Sequence, residues 1–150
     1  MQARAIDVMV WRTLVPIDER TEHPMADDDI LAALRLHWAA ADANDFGAEH
    51  EIYADNAELD YPQSGERIQG RENIQASRMA QPDTKRFTVR RLQGSKGFWV
   101  SELLVMYANR PFYVVSLMAL AGNKVVRETQ YFAEPFEPGA SRAVWVERTG

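Results

Sequence analysis

His37, Tyr61 and Glu128 are the side chains of this 150-residue sequence whose types and places best suit proton transfer. His37 belongs to the series Ile30, Leu34, His37, Trp38, Ala41, which falls on one face of an α-helix. An imidazole there could act as base or acid near pH 7. The commoner use of such a residue is as a core histidine bonded to a backbone carbonyl. Tyr61 ends a strand-like stretch before Pro62 and could donate a hydrogen bond to a substrate oxygen, or serve only in packing. Glu128 alternates with Val126, Gln130 and Phe132 on one face of the last strand. A register slip of one residue would put Arg127 and Thr129 there instead. Trp38 and Trp99 read as wall or core. Glu102, between Ser101 and Leu103, reads as a second acid or an interface residue.

Composition narrows the chemistry further. Cysteine is absent, which removes disulfides, thiolate nucleophiles, iron–sulfur clusters and cysteine zinc sites. The three His show no metal-ligand spacing, so neither a metal nor a cofactor is expected. Seventeen basic against 22 acidic residues give a net charge of −5, and the basic run Lys85, Arg86, Arg90, Arg91, Lys96 lacks interleaved aromatic platforms. Nucleic-acid binding is not expected. Gly65, Gly70, Gly94 and Gly97 match no phosphate-loop spacing. The most apolar run, Phe112–Ala121, falls short of the roughly 18–20 residues a membrane helix needs. Asp7 and Arg12 interrupt the apolar stretch of the N-terminus, so it does not read as a signal peptide. A soluble, cytoplasmic protein without a membrane partner is the expectation.

These side chains need elements to hold them. Met1–Pro24 reads as a short strand or arm outside the core, with Met25 as a natural start, and residues 25–150 as one domain. Asp27, Asp28 and Asp29 offer N-cap and dipole-compatible carboxylates to a helix that stops near Asn44. Asp45 can cap a second helix carrying Phe46, His50 and Tyr53 at i, i+4, i+7. Ala57–Tyr61 reads as a strand, Gln63–Gly70 as a loop and Arg71–Met79 as a third helix. Four strands follow, Arg86–Gln93, Phe98–Tyr107, Phe112–Leu120 and Val125–Phe132, divided by turn-forming residues. The middle two are apolar in both phases, which predicts cover on both faces. Prolines break the chain from about residue 134, and Ala143–Val146 is expected to add a short strand or to dock on the domain. Helices followed by an antiparallel meander make the fold class α+β.

Two stretches carry a resemblance. Tyr53-Ala54-Asp55-Asn56-Ala57-Glu58-Leu59 followed by Ile68-Gln69-Gly70-Arg71-Glu72-Asn73-Ile74 resembles a pattern common in ketosteroid-isomerase-like and SnoaL-like (polyketide-cyclase-like) members of the nuclear transport factor 2-like superfamily. Asn123-Lys124-Val125-Val126 with Tyr131-Phe132 is similar to their closing strand. The resemblance implies a cone-shaped curved sheet around helices, an apolar pocket for a small hydrophobic molecule, and a homodimer through the outer sheet face. The expected pocket wall then includes Trp38, Trp99, Ser116, Met118, Gln130 and Phe132, and Glu128 there would have its pKa raised by burial.

The same resemblance, followed residue by residue, finds all three roles of ketosteroid isomerase vacated. Tyr61 stands where the aspartate base would be, His37 where the tyrosine donor would be, and Phe112–Ala121 contains no carboxylate to act as the protonated acid. The expected function is a cofactor-independent acid–base isomerase, cyclase or dehydratase using His37, Tyr61 and Glu128. The alternative is a non-catalytic binding or dimerisation module of the same fold.

Overall fold

A computed structural model of the protein describes residues 26–149; the expected leading arm and Met25 lie outside the described residues. Helix α1 spans Asp27–Asp42, and Ile30, Leu34, His37, Trp38 and Ala41 are its buried face, as the 3.6-residue period predicts. Its N-cap is Ala26, without a side-chain cap, so the three aspartates occupy the first turn and favour the helix through its dipole alone. Asp45 caps α2, Phe46–His50, by accepting from the Ala48 N–H. Tyr53 is not part of that helix: β1 runs from Tyr53 to Tyr61.

The stretch expected as a loop contains a second strand, β2, Glu66–Gln69, paired antiparallel with β1. Helix α3 then covers Arg71–Met79. Strands β3 (Lys85–Ser95), β4 (Phe98–Tyr107), β5 (Arg110–Ala121) and β6 (Lys124–Ala133) form the expected antiparallel meander. The sheet order is β2-β1-β6-β5-β4-β3, and β1 lies parallel to β6, so the sheet is mixed and not wholly antiparallel. Gly94 is required for space: a Cβ there would come within 2.4 Å of the Phe98 carbonyl oxygen and 2.7 Å of the Trp99 Cα.

The concave face of this curved sheet buries Leu59, Leu103, Val105, Val114 and Met118 against α1, α2 and α3. An irregularity in the β5–β6 register puts Val125 in this core and leaves Val126 only half-buried, which displaces the expected alternation by one residue at that end. No described element covers the convex face. Val100, Leu104, Val115 and Leu117 are half-buried on it, and Phe98, Tyr113 and Tyr131 are exposed. Beyond Ala133 the chain leaves the sheet, and Ala140–Trp145 is a 3-10 helix, not a strand. It does not dock on the domain: Trp145 is 81% exposed and Val144 82%. No described helix is long and apolar enough to cross a membrane.

Candidate functional site

Between the concave face and the helices lies a cavity of about 280 Å³. Trp38, Ile68, Phe87, Val105, Val114 and Phe132 supply apolar wall, with Tyr61 and Tyr107 beside them. The expectation of an apolar chamber holds for only part of it, because Glu49, Arg78, Lys85 and Gln130 line it too.

Arg78 organises the polar part. It follows Ile74 by four residues on α3, so the helix that buries Ile74 on the sheet carries the guanidinium inward one turn later. Nη1 donates to the Tyr53 hydroxyl at 2.9 Å and to His50 Nε2 at 3.2 Å, and Nη2 donates to Glu128 Oε2 at 3.2 Å. Glu49 Oε1 stands 3.6 Å from Nη1. Glu128, wholly buried on β6, also accepts from Tyr53, from Ser116 Oγ at 2.7 Å and from Gln130 Nε2 at 2.6 Å. Strand register brings these together, since Ser116 faces Gln130 across β5–β6 and Glu128 lies two residues along the same face.

Burial pushes the Glu128 pKa up, but the charge of Arg78 and the hydrogen bonds from Tyr53 and Ser116 outweigh it and hold the group below the usual carboxylate value. This corrects the upward shift expected from burial alone. Glu49 shows the opposite balance: burial raises its pKa despite Arg78 and Lys85. Its carboxylate takes no hydrogen bond among the described residues although its side chain is only 5% exposed.

The other sequence-predicted residues divide by depth. Tyr61, Trp38, Gln130 and Phe132 reach the cavity wall. His37 does not: its Nδ1–H donates to the Glu49 carbonyl at 2.6 Å, and its ring edges against Trp38 and Tyr53. A carbonyl can only accept, so the proton sits on Nδ1 and Nε2 is a bare lone pair, which has no partner among the described residues. Burial lowers the His37 pKa to about 4, so the ring is neutral at pH 7 and sealed in the core. Glu128 lies behind Arg78 and Gln130, outside the cavity lining, and Ser116 behind Glu128. Met118 is core. Trp99 is buried with its Nε1–H bonded to the Lys96 carbonyl, away from the cavity. The His37–Glu128 pair therefore opens onto no common point in the cavity. Glu102 is no second cavity acid either: it lies on the convex face, 3.9 Å from Arg90 and 3.6 Å from Arg91.

Arg78, Glu49, Lys85, Tyr53 and Tyr107 were absent from the expected site. Arg78 carried a usable signal, since i+4 from a buried isoleucine puts it on the inward face of its helix. Among the described residues no cluster of His, Asp and Glu has the arrangement of a metal site.

No family model matches the sequence, and no curated protein does. Solved structures do. A putatively assigned ketosteroid isomerase from Kribbella flavida DSM 17836 shares 22% identity over 84% of this chain and 94% of its own, with a TM-score of 0.76. An LEH-like epoxide hydrolase from M. tuberculosis shares 14% identity over 71% of this chain and 84% of its own, with a TM-score of 0.62. At such identities the likeness is one of fold. An NTF-2 like protein of unknown function from Burkholderia xenovorans LB400 is 50% identical over 84% of this chain and 99% of its own, with a TM-score of 0.79. That degree of identity across nearly the whole of a relative places the chain in the nuclear transport factor 2-like family.

Proposed function

We propose that the protein binds a small, largely hydrophobic molecule in the concave cavity, with an oxygen-bearing end of the ligand against Arg78. The observation that carries this reading is a guanidinium, 11% exposed and fixed by Tyr53, His50 and Glu128, in the wall of a chamber whose apolar part is faced by Trp38, Phe87, Val105, Val114 and Phe132. A charge held so firmly offers hydrogen-bond donors that need no rearrangement on binding, while the apolar wall supplies affinity. Tyr61 adds a hydroxyl at the same wall.

A thermal-shift and calorimetric screen of hydrophobic ketones, alcohols and acids tests the reading. Tyr61→Phe is expected to weaken the best ligand by up to about tenfold, the worth of one hydrogen bond, with little change in folding stability. A ligand whose affinity ignores both Tyr61→Phe and cavity-filling Val114→Phe would bind elsewhere and remove the proposal.

An acid–base enzyme is the second reading, and the observation that favours it is Glu49: a buried carboxyl in the cavity wall, without a hydrogen bond among the described residues and raised in pKa by burial, beside a fixed cation. With His37 and Glu128 sealed away, Glu49 takes the place of proton carrier and Tyr61 that of hydrogen-bond donor. Ketones found in the screen are followed for deuterium incorporation beside the carbonyl in D₂O; absence of exchange in every bound ketone ends this reading.

The convex sheet face is assigned to a second copy of the chain. Val100, Leu104, Val115 and Leu117 are half-buried on that face and Phe98, Tyr113 and Tyr131 are exposed there, an apolar grouping of the kind that a two-fold interface covers. Light scattering is expected to give a dimer mass, and Leu117→Asp a monomer; a monomeric wild type at micromolar concentration contradicts the assignment.

A further inference from the structure

The charged groups around the cavity constrain what the ligand's polar end can be. Arg78 from α3 and Lys85 from β3 are the cations; the acidic side chains are Glu49 from α2 and Glu66 from β2 in the lining, and Glu128 from β6 behind Arg78. The remaining titratable groups facing Glu49 are neutral at pH 7. His37 on α1 and His50 on α2 itself are both lowered to about 4 by burial, and Tyr107 on β4 is raised to about 12 by burial. The set therefore has no spare cation for an incoming anion.

Two of these groups nevertheless have unused bonding capacity. Glu49 accepts no hydrogen bond among the described residues, although it is almost wholly buried and lines the cavity. Arg78 engages three of a guanidinium's five N–H groups, through Tyr53, His50 and Glu128. A ligand group that both accepts from Arg78 and donates to Glu49 would complete both. A carboxyl group holding one proton does this in a single unit: its carbonyl oxygen accepts and its O–H donates.

We propose that the cavity takes an organic carboxylic acid, whose carboxyl shares a single proton with Glu49 beside Arg78. Two carboxyl groups in contact cannot both ionise, so one proton stays with the pair. An acid that is ionised in solution brings no proton of its own. Where Glu49 is also ionised, the complex takes one proton from water, and no covalent bond forms or breaks. The inference rests on the cavity being a ligand site, and it adds the class of ligand and a linkage to pH.

The test uses 2-naphthoate, its methyl ester and the corresponding alcohol, titrated calorimetrically into the full chain between pH 6 and pH 8.5. The acid is expected to bind more tightly than the ester or alcohol at pH 6. Its affinity then falls with rising pH by up to about tenfold per unit, the limit for one linked proton. Heats in phosphate and Tris buffers count that proton in the wild type alone, so the count survives if a variant fails to fold. Glu49→Gln is expected to flatten the pH profile, because an amide donates to a carboxylate without a proton. A flat profile for the wild type, or the same slope in Glu49→Gln, overturns the shared proton. Ester or alcohol binding where the acid does not overturns the ligand class and leaves the cavity reading standing. If no member of the panel binds, this proposal falls; the cavity reading falls with it only if the broader screen of ketones and alcohols is empty as well.

Discussion

Replacing Arg78 by methionine is expected to cost about 3–5 kcal/mol of folding stability at pH 7, as breaking one side of a buried ion pair does. Glu128 is wholly buried and keeps three other donors, Tyr53, Ser116 and Gln130. None of them carries a charge. Without Arg78 the carboxylate must either stay ionised with no cation bonded to it or take up a proton, and both outcomes weaken the fold at neutral pH. Methionine approximates the length of the lost side chain, so packing contributes little to the difference. Urea unfolding followed by far-UV circular dichroism, at one fixed protein concentration, measures the loss. The double change Arg78→Met with Glu128→Gln should recover much of it, because the uncompensated charge is then gone. A cost below about 1 kcal/mol for the single change would mean that Glu128 does not depend on Arg78 for its charge.

How far such a network could be read in advance depends on the distance over which its parts are joined. The buried face of α1 was legible because a 3.6-residue period needs only the helix itself. The ends of β4, β5 and β6 were nearly legible because local turn chemistry sets them; Asn109 and Gly122, with φ of 67° and 60°, are residues that tolerate such a turn. Tyr53 was misread as helical because seven residues from Phe46 fits helix spacing, while its true partner in the sheet, Val125, is far away in sequence. Glu66–Gln69 escaped notice as a strand because it is a short polar edge with a single partner and shows no alternation.

The site follows the same rule. Glu128 was correctly placed inward by strand alternation, but the sign of its pKa shift depends on Arg78, fifty residues earlier on another element. Burial is visible in one strand; the charge that answers it is not. Glu49 was missed for a similar reason. Nothing in the short helix α2 distinguishes a glutamate in solvent from one lining a cavity, until α3 and the sheet close over it.

Protein stability should fall between pH 6.5 and pH 4, and His37 alone should account for about 3 kcal/mol of the fall. In the unfolded chain this imidazole takes a proton near its ordinary value of 6.5, whereas burial holds it neutral in the fold down to about 4. Its contribution is therefore complete above pH 6.5 and is lost as pH falls, at a limiting slope of about 1.4 kcal/mol per unit. His50, also lowered to about 4 by burial and by Arg78, acts in the same direction. Below the ordinary carboxylate value Glu128 joins them, because its folded pKa is depressed and acid removes what Arg78 stabilises. Glu49 opposes all three: its raised pKa lets the folded state take a proton first, so its contribution is present in acid and lost as pH rises. The variant His37→Gln separates one term from this sum, since an amide can still donate to the Glu49 carbonyl but does not titrate. Urea unfolding of both proteins at pH 7 and pH 4 is the measurement. Wild type should lose about 3 kcal/mol more than the variant between these two values, and parallel losses would show that His37 is protonated in the folded protein well above pH 4.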